Sequence, residues 1–315
     1  MSDERLALGV DLGGTKTEAV VLAIAGAADD VRVRELARVR RPTPSGEGYD
    51  AILESSVGLG RDAARDAGVD LAGLAVGVGM PGGVERRTGH VKNSNTVCLN
   101  GRPFRQDWQR ALGVPVTFEN DANCFALAEA TLGAAREHRE GVVFGVILGT
   151  GVGGGVVVRG RIHAGPHGVA GEWGHHAVWA RRPDARPCYC GQRGCVEVHA
   201  SGPAVERHYA SLSGVARPLV DIAVRRAHDA SAEAALEELL ETFGRGIANV
   251  IDVLDPDAIV LGGGVSNLSL LYDEGRARVA KYVFNDELLT PILANALGDS
   301  AGVLGAAVLG LGETR

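Results

Sequence analysis

The sequence predicts an α/β fold made of two similar halves that face one ligand. Three observations lead there. Short apolar runs rich in Val, Ile and Leu alternate with segments of helical period. Glycine supplies 45 of 315 residues, about twice its usual share of roughly 7%, and gathers in the turns that end those runs. Residues 9–22 (GVDLGGTKTEAVVL), laid on residues 145–158 (GVILGTGVGGGVVV), match Gly9 with Gly145, Val10 with Val146, Leu12 with Leu148, Gly13 with Gly149, Val20 with Val156 and Val21 with Val157. Two strand-turn-strand units of one build suggest two halves turned toward a shared ligand.

A chain of 315 residues is long enough for two domains, each with its own core. Lys plus Arg at 32 against Asp plus Glu at 39 gives a net charge of −7. A general nucleic-acid binder needs a basic footprint, so that balance argues against one. Five cysteines is an odd number, and the acidic opening MSDERLALGV has too short an apolar run for a signal peptide. Both point to a reducing cytoplasm. The one stretch long and uncharged enough to suggest a membrane span, residues 141–158, has seven glycines among its 18 residues, and most of the rest are β-branched. It reads as strand, turn, strand, and no membrane partner is expected.

Taken in order, Leu6–Val10 is a buried strand, Gly13 and Gly14 make a tight turn, and Thr17–Leu22 returns as a second strand. Asp11 and Lys16 flank the turn. With Thr15 and the backbone N–H groups they form a phosphate cradle with a partner for magnesium. Their counterparts Ile147 and Val152 are apolar, so the second turn (Gly149, Thr150, Gly151) offers backbone donors and one hydroxyl. Residues 31–39 alternate as a third strand, and 47–67 form a helix that Gly68 can close. Leu74–Gly79 is a buried strand ending in Met80-Pro81-Gly82-Gly83. Asn93, Asn95 and Asn100 gather in the next loop, where amides serve turns and equally suit a polyhydroxylated ligand. Val114–Phe118 is a strand that delivers Glu119-Asn120-Asp121 to a helix over Ala122–Leu132, with Asp121 placed to cap it.

Residues 171–197, GEWGHHAVWARRPDARPCYCGQRGCVE, hold Cys188, Cys190 and Cys195 within eight residues. Three thiolates and an imidazole make a closed structural zinc site, and a disulfide would leave an odd thiol. His175 is the preferred fourth ligand, with His163, His167, His176 and His199 also nearby. The metal would fold the loop and hold Glu172 and Glu197 on either side of its ligands. Downstream, Ser231 is expected to cap a helix whose apolar face runs from Leu236 through Phe243 to Leu254, ended by Asp255-Pro256. Ile259–Leu261 is a buried strand. Gly262, Gly263 and Gly264 follow it, with a helix from Asn267, an order that suits a nucleotide's approach. A GxGxxG fingerprint is absent, which disfavours a dinucleotide fold. A last helix near 301–311 is expected to pack on the first half.

Together DLGGTK (11–16), ENDAN (119–123), GTGVGGG (149–155), GEWGH (171–175), CYCGQRGCVE (188–197) and DPDAIVLGGG (255–264) resemble the ROK family (repressor, open reading frame, kinase) over nearly the whole chain. KNSNTVCLNG, NDANC and GEWGHH resemble its bacterial fructokinase branch, which also accepts mannose. The resemblance implies an actin-like ATPase fold (ribonuclease H-like). Its small domain would be 1–118 plus about 298–315, and its large one 119–297, with ATP and a hexose in the cleft. It implies Asp121 as catalytic base, and Asn95, Asn120, Asp121, Glu172, His175 and Glu197 as sugar contacts. Asp11, Gly13, Gly14, Thr15, Lys16, Gly149, Thr150, Gly151, Gly262, Gly263 and Gly264 would then meet ATP and magnesium. His175, Cys188, Cys190 and Cys195 would hold structural zinc, with His175 donating to the sugar from its other ring nitrogen, and the assembly would be a homodimer. The expected reaction is transfer to the 6-hydroxyl of fructose, with glucose or an N-acetylhexosamine as the alternative. The family's repressors carry a DNA-binding domain ahead of the first turn, where this chain has ten residues.

Overall fold

The computed structural model describes residues 4–26, 31–85 and 87–312. Residues 1–3, 27–30 and 86 of the expected first domain, and 313–315 of its closing segment, lie outside that set. The chain opens with β1 (Arg5–Leu12), β2 (Lys16–Ala25) and β3 (Arg32–Pro42), then α1 (Tyr49–Asp66) and β4 (Ala75–Met80). A short ribbon of β5 (Gly83–Val84) and β6 (Val91–Lys92) leads to α2 (Phe104–Leu112), β7 (Thr117–Asn120) and α3 (Asp121–Thr131). The second half begins with β8 (Val142–Leu148), β9 (Val152–Val158) and β10 (Arg161–Ile162). After a long loop come α4 (Glu197–Ala200), α5 (Gly202–Ser213), α6 (Leu219–Arg225) and α7 (Ala230–Leu254), then β11 (Ala258–Gly262), α8 (Glu274–Tyr282), β12 (Ile292–Ala294) and α9 (Ala301–Gly312). Residues 141–158 form the β8–β9 hairpin, and no helix among the described residues is long and apolar enough to cross a membrane.

The two large sheets have one topology. The first runs β3-β2-β1-β4-β7 and the second β10-β9-β8-β11-β12. In each, an antiparallel hairpin is followed by two parallel crossovers. The repeat read from sequence is therefore a repeat of architecture, with one correction to its register. Leu12 pairs with Thr17 across a four-residue turn, whereas Leu148 pairs with Val152 across three. The second turn closes earlier, Gly149 N bonding Gly151 O at 2.9 Å where Gly13 N bonds Lys16 O at 3.0 Å. Val21, not Val20, is thus the structural partner of Val156.

Helices α1 and α2 cover one face of the first sheet, in a cluster that includes Leu8, Val10, Ile52, Leu59, Phe104 and Trp108. Helix α9 covers the other, with Val303 and Ala307 against Ala7, Val20 and Leu22. It comes so close that a Cβ at Gly9 would collide with Val303 O, and one at Gly77 with Ala306 O. In the second half α7 lays Leu236, Leu239, Leu240, Phe243, Ile247 and Val250 on Phe144, Val146, Leu148 and Leu261. Helix α3 packs on the other face through Phe125, Ala126, Val143, Val157 and Val260. The chain crosses from first sheet to second at α3 and returns at α9, and these two helices pack on each other.

Two expected caps move by a residue or two. Asn120 caps α3, accepting from Ala122 N and Asn123 N, because its backbone is still extended while Asp121 is already helical. Asp229, not Ser231, caps α7 for the same reason. The helix expected from Asn267 begins at Glu274. Ser266 turns back on Gly263 O through both its N–H (3.1 Å) and its hydroxyl (2.7 Å), and this local bonding holds tight turns ahead of the helix.

Candidate active site

Where β9 meets the start of α3, the surface of the strand is bare backbone. At Gly155 a Cβ would press on Ala122 O and Asn123, and at Gly154 on Gly171 O and Trp173. The glycines of β9 thus let the start of α3 and the Glu172 loop approach one strand from both sides. Trp173 anchors that loop, being 1% exposed with its indole donating to Gly153 O at 2.8 Å. Asn120 spends its carbonyl on the cap and donates its amide to Gly82 O at 3.0 Å. A cavity opens here, lined by Gly82, Lys92, Asn93, Asn120, Asn123 and Glu172 among others.

Four carboxylates adjoin this surface. Asp11 ends β1 against the first turn of α9, where a Cβ at Gly302 would touch its oxygens. Burial pushes it up to about 7, with the charges of Asp121 and Glu18 adding and Lys16 opposing. Burial also lifts Asp121, to about 6; Glu172 adds, and the hydrogen bond from Ala122 N opposes. An aspartate free in water titrates at about 3.9. Glu172 is raised by burial and by Glu197, with His175 and Lys92 pulling down. Glu197 accepts from Val152 N at 3.0 Å, and a Cβ at Gly151 would meet its carboxylate. Asp11, Asp121, Glu172 and Glu197 therefore form a row from the first glycine turn to the second.

Of the expected phosphate-binding glycines, Gly14, Gly149 and Gly264 have open space where a Cβ would stand. Gly262 packs on the Phe125 ring and Gly263, with φ +84°, on Leu148 O. Their smallness serves packing. Thr15 and Lys16 stay on the first turn, which Thr43 braces by donating its hydroxyl to Gly13 O at 2.7 Å and its N–H to Thr15 O at 2.9 Å. Thr150 sits at the tip of the second turn, and Gly202 N donates to Gly149 O at 2.9 Å.

His175, Cys188, Cys190 and Cys195 bring one donor atom each to within 4.8 Å of one another. Cys190 Sγ lies 3.7 Å from Cys195 Sγ, and Cys188 Sγ lies 3.6 Å from His175 Nδ1. A tetrahedral zinc with Zn–S near 2.3 Å sets its ligand atoms about 3.6–3.8 Å apart, so the donor set fits that ion. His175 faces the cysteines with Nδ1. Its Nε2 lies 3.1 Å from the hydroxyl of the exposed Tyr189.

Asn95 is exposed and lies off the lining of this small cavity, as do Asp121, His175 and Glu197; Asn93, two residues earlier and at φ +56°, is on it. Asn100 is bonded to both backbone groups of Ser94. The composition of the loop offers these three amides alike and the family resemblance selects Asn95; neither points to Lys92, Asn123 or Thr43. The left-handed backbone at Asn93, which asparagine tolerates, was the available signal.

Comparison with known proteins agrees over the full span. The ROK family model matches residues 7–313. An N-acetyl-D-glucosamine kinase of Photobacterium profundum is 37% identical over 311 residues, covering 96% of this chain and 98% of that one. Its namesake from Vibrio cholerae is 35% identical over 311 residues, covering 96% and 99%. Among solved structures, a ROK hexokinase from Thermus thermophilus has a TM-score of 0.82 at 33% identity, covering 96% of this chain and 97% of that one. A ROK family glucokinase from Streptomyces griseus, in complex with glucose and AMPPNP, scores 0.74 at 30%, covering 96% and 98%. With its doubled sheet and actin-like ATPase fold, the chain belongs to the ROK family of sugar kinases.

Proposed function

We propose that the chain is an ATP-dependent hexokinase that phosphorylates the 6-hydroxyl of N-acetyl-D-glucosamine. The observation that carries the reading is the placement of Asp121, half-buried at the start of α3 and neighbour to both Asp11 and Glu172. In the proposed reaction the 6-hydroxyl oxygen attacks the γ-phosphorus as the bond to ADP breaks, and Asp121 accepts the hydroxyl proton. A carboxyl near 6 is ionised at neutral pH and more basic than an ordinary aspartate, which suits a general base. Asn95, Asn120, Glu172, His175 and Glu197 are assigned to the sugar, with Asn93 added because it lines the cavity beside Asn120 and Glu172. The open backbones of Gly14, Gly149 and Gly264 are assigned to the nucleotide. Magnesium held beside Asp11 would neutralise phosphate charge, which with alignment supplies most of the catalysis in phosphoryl transfer. Residues 1–118 with the last helix would form one domain and 119–297 the other, closing over the substrates to exclude water.

The choice of sugar rests on the relatives, which are named for N-acetyl-D-glucosamine rather than for the fructose that the motifs suggested. A coupled assay of ADP release against N-acetyl-D-glucosamine, N-acetyl-D-mannosamine, glucose, mannose and fructose tests both levels. The expected result is a kcat/KM for N-acetyl-D-glucosamine at least ten-fold above the rest. A preference for fructose would restore the motif-based expectation, and no ADP with any sugar would overturn the reading as a kinase.

A further inference from the structure

The metal loop is gripped from behind by one face of α7. Glu238, Thr242 and Arg245 stand four and then three residues apart, so their side chains line up on that helix. Trp179 of the loop donates its indole N–H to Thr242 Oγ1 at 2.8 Å, and the Arg245 guanidinium lies 4.6 Å from the Trp179 ring. Glu238 is the centre of the grip, its side chain only 9% exposed. It pairs with Arg186 at 2.6 Å and Arg182 at 3.1 Å, both from the loop, with His199 Nδ1 at 3.1 Å and with His208 at 3.8 Å. Burial would raise this carboxyl, but the His199 hydrogen bond and the Arg186 charge outweigh burial and hold it near 2.

Arg186 has a second contact, donating to Val198 O at 3.1 Å. Val198 and His199 belong to α4, whose first residue is Glu197. Glu238 therefore reaches Glu197 by two routes, directly through His199 and indirectly through Arg186. None of these bonds involves a donor atom of the metal cluster.

We propose that Glu238 is a positioning residue for the sugar site: by holding α4 and the metal loop on α7, it sets the place of Glu197 independently of the metal. This rests on the kinase reading for its functional consequence, though not for its structural one. Glu238→Gln keeps the shape and one acceptor oxygen while removing the charge that two arginines share. Expected are at least ten-fold faster hydrogen exchange of the amides of residues 196–200, an unchanged zinc-to-protein ratio, a hexose KM about five-fold or more above the parent, and an ATP KM within two-fold. Should the Gln variant fail to fold, Arg186→Lys keeps the charge but cannot span both Glu238 and Val198 O, and the same changes are expected in smaller measure. Unaltered exchange in residues 196–200, or hexose and ATP KM values that move together, would overturn the proposal. Exchange is read without sugar or ATP. An inactive parent whose variants still exchange faster would thus fault the kinase reading alone, and an active parent whose variants exchange normally would fault the positioning role alone.

Discussion

At Asp121 the proposed catalytic role and stability pull in opposite directions. Its carboxyl sits at about 6 in the folded chain against 3.8 in the open one, so between those values the folded state binds more protons. This group therefore makes stability fall as pH rises from about 4 through about 6, with the cost fully present at neutral pH. Asp121→Asn removes that cost. Its apo melting temperature at pH 7.5 is expected to rise by a few degrees, while kcat falls roughly 10²–10⁴-fold with ATP binding retained. Near-parental turnover would remove Asp121 from the role of base. The same ionisation sets an acid limb: if the proposed base Asp121, near 6, and Asp11, near 7, must both lose protons, kcat/KM is expected to rise with pH, reach half its plateau at about pH 7 and level off above about 8. A flat profile down to pH 5 would contradict it. The position of Asp121 was legible in ENDAN after a short strand. Its raised pKa was not, since burial and the charge of Glu172 come from tertiary packing.

Among elements, α9 is seated most tightly, because Gly9 and Gly77 leave their strands bare beneath it. Gly9→Ala or Gly77→Ala would push the helix off its sheet, and each is expected to lower unfolding stability by about 1–3 kcal/mol in urea denaturation. A neutral result at both would mean that α9 shifts freely. The metal loop answers to a different constraint. If the His175, Cys188, Cys190 and Cys195 donor set holds zinc, as its spacing allows, removing the ion with a chelator is expected to free the amides of residues 187–195 to exchange and to raise the hexose KM, with ATP KM little changed. The Trp179 contacts to Thr242 and Arg245 should persist, which near-constant tryptophan emission would report. Loss of ATP affinity before hexose affinity would refute this. Strand and helix order could be read from periodicity and glycine. The length of the second hairpin turn could not, because identical valines one residue out of register align equally well in a run of GGGVVV.

Across the whole molecule, α3 and α9 are the only described helices that carry the chain between its halves, and Glu129 locks them together. Fully buried on α3, it accepts from Ala134 N at 2.8 Å, Ala296 N at 3.1 Å and Leu297 N at 3.0 Å, the last two on the approach to α9. Glu129→Ala would strand those donors, and a loss of about 3 kcal/mol or more is expected. A loss under about 1 kcal/mol would show that water replaces the carboxylate. The doubled architecture was visible in the sequence as two glycine hairpins. The tie between the halves was not, because all three donors are backbone amides, which no side chain announces, and those of Ala296 and Leu297 lie far from Glu129 in the chain.

The return of α9 to the first sheet also has a consequence for biosynthesis. Ala7, Val20 and Leu22 leave the ribosome about 280 residues ahead of their cover, Val303 and Ala307. At roughly 5–20 residues per second the nascent amino-terminal half waits on the order of 15–60 seconds with an oily flank bared. Chaperone occupancy during that interval, rather than the melting point of the finished enzyme, would then govern its yield in a cell.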